Sequence, residues 1–262
     1  MIITFMSDFG TEDGYVGSVK GVLLSKAPKA TLVDITHAIP PFDVGRGAYT
    51  LLNYYDSFPP GTIHLAVVDP GVGSARKALI LKLRDYYLVG PDNGLFSFVL
   101  QRETFSAYEI NARVVNPELA HATFHARDLF APAAAMLANG ASPGRIGIPL
   151  KQIEPQQPNF WERQGNLLKL KIIAVDHFGN IVTALHRDDL NRLKKTINVV
   201  TFKNFKTNHV HTYYAEVEKG KPLVLWNSLN FLEIAVCEGS AADYFKADIN
   251  KDIITVELRD SD

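Results

Sequence analysis

Two charged residues flank a glycine-rich bend in the segment VVDPGVGSAR, residues 67–76. Asp69 ends an apolar run and precedes a Pro-Gly pair, and Arg76 closes the segment. The bend lacks the Gly-Lys-Ser/Thr of a phosphate loop and does not match the dinucleotide fingerprint. Two interpretations remain open. The segment alone favours a structural turn closed by an Asp69–Arg76 ion pair, and the alternative is a carboxylate and a guanidinium presented to a substrate.

A second carboxylate, Asp8, follows a short apolar run in MSDFGTEDG. In open α/β sheets ligands lie beyond the carboxyl ends of the strands, so Asp8 and Asp69 could converge on one crevice. Asp8 would then accept hydrogen bonds from ribose hydroxyls. A helix N-cap or an Asx turn explains Asp8 equally well. Turn chemistry also explains the bend in VGPDNGLF, residues 89–96.

The segment HATFHARD places His121, His125 and Asp128 near the start of a predicted helix. A zinc site would need a third ligand from elsewhere, and neither a His-Glu-x-x-His pattern nor a cysteine accompanies these histidines. We therefore predict no metal site. A histidine beside a helix N-terminus is more often a hydrogen-bonded structural residue than a catalyst. The same interpretation applies to two further pairs, His209/His211 and Asp176/His177.

Two segments in the second half combine polar and aromatic side chains. VDHFGN, residues 175–180, offers an acid, an aromatic ring and an amide, which suit an amino group, a stacked ring and an adenine edge. The same segment is also a plausible hairpin turn. LWNSLNFLEIAV places Ser228 in a loop and Glu233 within an apolar strand. Because an acid in an apolar run should be paired or functional, Glu233 is the stronger candidate.

The elements that must position these residues change character along the chain. Up to about residue 140, apolar runs typical of strands alternate with segments of helical period, which predicts an α/β domain with a mainly parallel sheet, residues 1–155. Four prolines predict an extended linker without elements over residues 141–165. Short, regularly spaced strands then predict a smaller all-β, barrel-like domain, residues 165–262.

Bulk properties narrow the function classes. The 262 residues include 27 basic and 28 acidic side chains, and the net charge of -1 argues against a broad nucleic-acid surface. The single cysteine, Cys237, cannot form an internal disulfide, which fits a reducing compartment. The N-terminus does not resemble a signal peptide, and no stretch approaches the roughly 18 apolar residues of a membrane span. We expect a cytoplasmic protein with a small-molecule substrate and with neither nucleic acid nor membrane as a partner.

Seven stretches, spread in order over nearly the whole chain, carry a family resemblance. They are SDFGTEDGYVGSVKG, VDITHAIPPFDVGRGAYTL, FPPGTIHLAVVDPGVGSAR, VGPDNGLF, TFHARDLFAPAAA, VDHFGN and NFLEIAVCEGSAA. Together they resemble the S-adenosyl-L-methionine hydrolases (adenosine-forming), also called SAM hydroxide adenosyltransferases, which are relatives of fluorinase and chlorinase. The chain departs from the family pattern at Ser7, Ala126, Cys237 and the IVTAL segment after Asn180.

The resemblance implies a homotrimer that holds S-adenosylmethionine between the α/β domain of one subunit and the β domain of the next, with no cofactor and no metal. It implies a water-activating triad that falls on Asp69, Arg76 and His125. The implied substrate-binding positions are Asp8 for the ribose hydroxyls, Asp176 for the methionine amino group, Phe178, Asn180 and Phe124 around the adenosine, and Ser228, Glu233 and the backbone near Val236 from the β domain.

The implied reaction is an in-line displacement at C5′ that gives adenosine and L-methionine. The sulfonium departs as a neutral thioether, so no general acid is required. The Arg76 charge would stabilise hydroxide character on a bound water, and Asp69 or His125 would accept or relay its proton. Two alternatives stay open: halide transfer, which an acid at Asp69 disfavours by repulsion, and a non-catalytic protein that binds S-adenosylmethionine or adenosine, which an intact triad disfavours.

Overall fold

The computed structural model of the protein describes residues 1–118, 123–153 and 160–261. The chain divides into two compact units, residues 1–157 and 158–262. None of the helices in the described ranges is long and apolar enough to cross a membrane.

The first unit combines one sheet with helices. Its strands are β1 (Ile2–Ser7), β2 (Thr31–Thr36), β3 (Ile63–Val67), β4 (Ala78–Lys82), β5 (Tyr87–Pro91), β6 (Ser106–Ile110) and β7 (Gly147–Leu150). Its α-helices are α1 (Tyr15–Lys26), α2 (Val44–Leu52), α3 (Ser97–Leu100), α4 (Ala112–Val115), α5 (Ala131–Ala138) and α6 (Pro143–Ile146). The described residues of this unit also form a 3₁₀ turn at Tyr55–Ser57 and a π-helical turn at Ala126–Phe130.

The sheet has the strand order β2-β1-β3-β5-β4-β6-β7, and β4 and β7 oppose the direction of the other five strands. The predicted mainly parallel α/β architecture is confirmed. The chain places β2 on one side of β1 and β3 on the other, so the strand order reverses at β1. In open α/β sheets the crevice beyond the carboxyl ends at such a point is the usual ligand site. Ser7 pairs with Val67, so β1 and β3 end side by side.

The core of the first unit explains why its central strands are continuous apolar runs. All five residues of β3 are buried, as are five of the six in β1, because α1 and α5 cover the sheet. Val19 and Leu23 of α1 pack against the alanine-rich α5, whose small side chains let the two helices approach closely. Rigid, fully covered strands hold the residues at their ends in place.

The element-free linker predicted over residues 141–165 is wrong. The described part of that range contains α6, β7 and β8, and prolines fit into two of these elements. Pro143 takes the first position of α6, where its missing N–H would have no helical partner. Pro149 lies in β7, which is an edge strand and therefore tolerates a residue without a donor.

The second unit is built almost entirely from antiparallel strands. They are β8 (Trp161–Gln164), β9 (Leu167–Val175), β10 (Ile181–His186), β11 (Lys195–Phe202), β12 (Phe205–Thr207), β13 (Pro222–Trp226), β14 (Phe231–Val236) and β15 (Ile253–Asp260). The strand order is β12-β11-β15-β9-β10-β14-β13, with β8 also paired to β9. Two short helices, α7 (Arg187–Leu193) and α8 (Ala241–Phe245), and a 3₁₀ turn at Tyr214–Glu216 accompany the sheet.

The inner face of this sheet is apolar. Leu170, Phe202, Ile234 and Val256 are buried together from four different strands. The sheet curves so far that it is nearly closed, and all of its strand pairings are antiparallel. The predicted all-β, barrel-like architecture is confirmed.

Candidate active site

Two carboxylates lie at the carboxyl ends of neighbouring parallel strands. Asp8 directly follows β1, and Asp69 comes two residues after β3. The backbone N–H of Phe42 donates to Asp8 Oδ2 at 2.9 Å. Burial raises the pKa of Asp8, and the nearby charge of Asp69 raises it further. Because β1 and β3 end side by side, both carboxyls lie at the reversal of the strand order.

The bend after Asp69 folds the chain back on itself. The N–H of Val72 donates to the Asp69 carbonyl at 3.2 Å, and the N–H of Ser74 donates to the Gly71 carbonyl at 3.0 Å. Gly73 has a φ of 79°, which a side chain would make unfavourable. These consecutive turns return the chain to its starting point. Both charged ends of the segment VVDPGVGSAR therefore meet.

The guanidinium of Arg76 joins three side chains into one cluster. Its Nε donates to Asp69 Oδ1 at 2.9 Å, and its Nη2 donates to Asp69 Oδ2. The same Nη2 lies 2.7 Å from His125 Nδ1. The side chains of Arg76 and Asp69 are only 8% and 6% exposed. The turn with an ion pair, which the segment alone favoured, is present, and the histidine from a distant part of the chain contacts that pair.

The contact with Arg76 defines the protonation state of His125. A guanidinium can only donate, so His125 Nδ1 accepts and the proton of the neutral ring lies on Nε2. Burial lowers the pKa of His125, and the positive charge of Arg76 lowers it further. His125 immediately precedes the π-helical turn, a distortion that is frequent at functional sites. His121, the other histidine of the segment, lies outside the described residues.

Phe124 belongs to an aromatic cluster beside His125. Its ring makes edge contacts with Phe9 and Tyr15, with ring centroids 5.6 and 5.2 Å away. The guanidinium carbon of Arg127 lies over the Phe124 ring, 5.2 Å from its centroid. The Phe124 ring is thus held in place by neighbouring side chains.

Several supporting residues of the first unit are not apparent from the sequence. Asn93, in the bend assigned to turn chemistry, donates from Nδ2 to the Val68 carbonyl at 2.8 Å and so braces the backbone next to Asp69. Beneath Asp8, His37 contacts Ser7 Oγ through Nδ1 at 2.8 Å and Asp34 Oδ1 through Nε2 at 3.2 Å.

This serine, histidine and aspartate resemble a hydrolytic triad in composition only. The Ser7 side chain is completely buried, so its hydroxyl cannot reach a substrate. The hydrogen bonds instead hold the end of β1 against the end of β2. No sequence pattern around Ser7 or His37 predicted this contact.

In the second unit, Asp176 holds the hairpin between β9 and β10. Its Oδ1 accepts from the N–H groups of Phe178 and Asn180 at 2.9 and 2.8 Å, and its Oδ2 accepts from Asn180 Nδ2 at 2.9 Å. Gly179 has a φ of 84°, and a Cβ there would lie 2.2 Å from Ser240 Oγ. VDHFGN is therefore a hairpin turn, and its conformation leaves the Phe178 ring 73% exposed.

Glu233 is a buried acid with neutral partners. Its Oε1 accepts from the Tyr214 hydroxyl at 2.9 Å, and its Oε2 accepts from Asn227 Nδ2 at 3.2 Å. Burial raises the pKa of Glu233, and the charge of Asp176 adds to the shift. Neither Tyr214 nor Asn227 could be paired with it from the sequence, because both lie in irregular segments.

The two remaining candidates of this unit differ in exposure. Ser228 is exposed in the loop between β13 and β14. Val236 ends β14 with a buried side chain, and its carbonyl accepts from the N–H of Gly239 at 3.1 Å.

Both units of the chain match domains of one known protein family. Residues 3–147 match the SAM hydroxide adenosyltransferase N-terminal domain, and residues 170–254 match the C-terminal domain of the same family. A (R)-S-adenosyl-L-methionine hydrolase of Thermus thermophilus is 37% identical over 251 residues, which cover 92% of this chain and 94% of that protein. A fluorinase of an Actinoplanes species is 29% identical and covers 89% of this chain and 90% of its own.

A solved structure shows the same architecture. The crystal structure of an uncharacterized conserved protein from Thermotoga maritima superimposes with a TM-score of 0.82 at 33% identity, and it covers 98% of this chain and 99% of its own. Matches to both domains of one family, in order and over most of the residues, confirm the resemblance drawn from the seven motifs. The chain belongs to the SAM hydroxide adenosyltransferase family.

Proposed function

We propose that this protein hydrolyses S-adenosyl-L-methionine to adenosine and L-methionine, by attack of a water molecule on C5′. The single observation that carries the proposal is the contact of Arg76 with both Asp69 and His125 at the crevice beyond β1 and β3. The relative from Thermus thermophilus, which bears the name of this activity, supports the same reaction.

The reaction balances without a redox partner. The bond between C5′ and the sulfonium sulfur breaks, and the sulfur keeps the electron pair as a neutral thioether. A bond from the water oxygen to C5′ forms, and the water loses one proton. Because bulk water is a very weak acid, the protein must favour hydroxide character on the attacking oxygen.

In this proposal the three residues have different roles, which their contacts support. Asp69 accepts the proton, since each of its carboxylate oxygens keeps a lone pair beyond those used by Arg76. His125 cannot accept it, because its Nδ1 already faces the guanidinium; its Nε2–H instead orients the water. Arg76 stabilises the developing negative charge and holds the other two side chains in register.

The charge balance of this cluster favours water over a halide ion. Asp69 and Arg76 neutralise each other and His125 is neutral, so the positive charge of the guanidinium is already paired. A halide approaching C5′ would meet the carboxylate of Asp69, whereas a neutral water can hydrogen-bond to it. The fluorinase relatives make halide transfer the competing reaction to test.

The remaining site residues bind the substrate. Asp8 accepts from the ribose hydroxyls, and Phe124 packs against the adenosine. From the second unit, Phe178 and Asn180 contact the adenosine, and Asp176 attracts the methionine ammonium. Ser228, Glu233 and the backbone near Val236 complete the pocket. The reaction needs no further cofactor in this scheme.

We also propose that the active form is a homotrimer, with each site shared between the first unit of one subunit and the second unit of the next. The support is the family resemblance. The assay uses a substrate concentration far below the raised KM of Asp176→Ala, where each variant alone has little activity. Equal amounts of Asp69→Asn and Asp176→Ala chains, unfolded and reassembled together, should then regain about a quarter of the wild-type activity, because random mixing pairs intact halves at that frequency. No recovery in mixed trimers, or a monomeric mass in solution, contradicts the shared site.

The buried Cys237 supports placement in a reducing compartment, and we assign the protein to the cytoplasm. The physiological fate of the adenosine and methionine lies with enzymes that consume these two products.

Isotope labelling tests the proposed reaction. Turnover in H₂¹⁸O should place the label in the 5′-hydroxyl of adenosine and leave methionine unlabelled, because C5′ is the atom attacked. The same assay with saturating chloride should give adenosine and no 5′-chloro-5′-deoxyadenosine. The chlorinated nucleoside without adenosine would establish halide transfer, and tight binding of S-adenosylmethionine without either product would establish a binding protein.

A further inference from the structure

A group of metal-binding side chains lies in the second unit, in the segment that precedes β13. Among the described residues, His209, His211 and Glu216 bring three candidate ligand atoms within 4.8 Å of one another. We propose that these three residues bind a divalent transition-metal ion, with Zn²⁺ as the best match. Two imidazoles and a carboxylate are ligands that Zn²⁺ takes at about 2.0–2.2 Å, and a water would complete a tetrahedral shell.

The two histidines share one face because their backbone is extended. His211 forms a β-bridge with Leu225, and its N–H donates to the Val224 carbonyl at 2.7 Å, so this segment adds to the edge of β13. In extended backbone the residues i and i+2 point to the same side. The rings of His209 and His211 accordingly lie with centroids 4.3 Å apart.

The carboxylate returns to this face through the 3₁₀ turn. Glu216 Oε1 accepts from the N–H groups of Thr212 and Tyr213 at 2.8 and 3.3 Å, which fixes the side chain. Glu216 Oε2 is directed toward the imidazoles, 3.0 Å from His211 Nδ1 and 3.9 Å from His209 Nε2. Hydrogen bonds that hold one oxygen and leave the other for the metal are typical of ligand carboxylates.

A simple ion pair explains this arrangement less well than a metal does. His211 Nδ1 alone satisfies Glu216 Oε2 with a hydrogen bond of 3.0 Å, yet the fold also brings His209 Nε2 to 3.9 Å from the same oxygen. A carboxylate only accepts, so metal binding would displace the proton that His211 Nδ1 donates in this hydrogen bond. A divalent cation between the three groups uses all three of them, and shifts of about 1 Å bring the ligand atoms to tetrahedral spacing.

The site is connected to Glu233 through its own loop. Tyr214, which lies between the histidines and Glu216 in sequence, donates its hydroxyl to Glu233 Oε1 at 2.9 Å. An ion that joins both ends of this loop would fix the position of Tyr214. The proposed metal is therefore a structural ion that holds a substrate-binding acid in place, and its binding does not depend on the proposed reaction.

Zinc titration of the untagged, chelator-treated protein tests the site. Calorimetry should give one Zn²⁺ per chain for the wild type, and His209→Ala and His211→Ala should each weaken binding roughly 10- to 100-fold. His177→Ala is the matched control, since His177 is an exposed histidine of the same unit outside the cluster. Binding below one Zn²⁺ per chain, or equal binding by wild type and both cluster variants, overturns the proposal.

A second measurement separates loss of the site from loss of the fold. Without metal, His211→Gln and the wild type should unfold at similar temperatures, whereas saturating Zn²⁺ should raise the Tm of the wild type and the His177→Ala control by a few degrees and leave His211→Gln unchanged. Zinc binding that disappears in His125→Asn and persists in both cluster variants would place the ion in the first unit and overturn the assignment.

Discussion

The acids of the two units are satisfied in opposite ways. Asp69 faces a cation, because both of its oxygens accept from the buried guanidinium of Arg76. Among the described residues, Glu233 accepts hydrogen bonds from two neutral donors, the Tyr214 hydroxyl and the Asn227 amide. In the first unit the charge of Asp69 is therefore paired with that of Arg76. In the second unit the hydrogen-bonding partners of the buried Glu233 carry no opposite charge.

This difference suits Asp69 to the reaction step and Glu233 to substrate binding. A carboxylate fixed by a guanidinium is held in one orientation and keeps lone pairs for a water. A buried acid with neutral partners can instead be stabilised by a cationic ligand, and the proposed substrate brings an ammonium and a sulfonium. We expect substitutions in the first unit to lower kcat and substitutions in the second unit to raise KM.

The largest effect is expected at Asp69. Asp69→Asn keeps the size of the side chain but removes the proton acceptor and the charge that faces Arg76. We expect kcat for adenosine release to fall roughly 10²- to 10⁴-fold, the range found for general bases, with KM changed little. The variant should also lose about 3–5 kcal/mol of stability, because Arg76 stays buried without its counter-charge.

The exposed Asp85 gives the matched control, since its side chain is 49% exposed and lies 3.9 Å from Arg84. Asp85→Asn should retain wild-type kcat and stability. A folded Asp69→Asn enzyme with unchanged kcat would remove Asp69 from the mechanism and break the division between the units.

A smaller effect on kcat is expected at His125. Asn at this position keeps an acceptor for Arg76 and loses the Nε2–H, so kcat should fall roughly 10- to 100-fold. In the wild type the lowered pKa keeps the ring neutral at pH 7, and kcat should fall only as the pH drops below the usual histidine value of about 6.5. Protonation of Nδ1 then breaks its hydrogen bond with Arg76.

The pH profile of His125→Asn provides the internal check. Since asparagine does not titrate in this range, the acid decline of kcat should disappear in this variant. An acid decline that is the same in both enzymes assigns it to another group, and the role of His125 would have to be abandoned.

The contacts of this site that the sequence predicted are those between residues close together in the chain. Asp69 and Arg76 could be paired from their spacing around a Pro-Gly bend, because local turn geometry brings them together. The contact of Arg76 with His125 spans 49 residues and depends on how the π-helical turn packs beneath the sheet. From the sequence, only the family resemblance predicted that His125 contacts Asp69 and Arg76.

The same rule explains what the sequence did not reveal in the second unit. Glu233 was recognised because an acid within an apolar strand is unusual, but its partners Tyr214 and Asn227 lie in a short 3₁₀ turn and in a loop, where no repeating pattern predicts a contact. The linker prediction was wrong for a different reason. Prolines forbid helix interiors and central strands, whereas Pro143 and Pro149 occupy a first helical position and an edge strand.

Glu233 gives the sharpest contrast with Asp69. Glu233→Gln keeps an oxygen for the Tyr214 hydroxyl and removes the negative charge. We expect KM for S-adenosylmethionine to rise roughly 10-fold, the value of a charged hydrogen bond, and kcat to stay within about threefold of wild type. A fall of kcat without a change in KM would place Glu233 with the catalytic residues.

The stability of Glu233→Gln relative to the wild type should depend on pH. Burial raises the pKa of Glu233 in the folded protein, so the ionised form is disfavoured there. The unfavourable contribution is absent at pH values below the unfolded pKa of about 4.3, grows as the pH rises above it and is complete above the folded pKa. In Glu233→Gln the new NH2 group faces the Asn227 amide donor at every pH, which gives a constant cost. The Tm of Glu233→Gln relative to the wild type should therefore rise as the pH increases from 4 to 7.5, because only the wild type carries the ionisation penalty.

The smallest effect is expected at Phe178, where binding and stability are separable. Its ring is 73% exposed, so removing the aromatic character should leave the free energy of unfolding within about 0.5 kcal/mol of wild type. If the ring stacks on the adenosine, Phe178→Leu should raise KM roughly 3- to 10-fold at constant kcat, in keeping with the energy of base stacking. Phe105→Leu, at another exposed phenylalanine, should change neither quantity. Equal KM values for all three proteins would mean that the Phe178 ring does not contact the adenosine, and substrate binding by the second unit would then rest on its acids, Asp176 and Glu233.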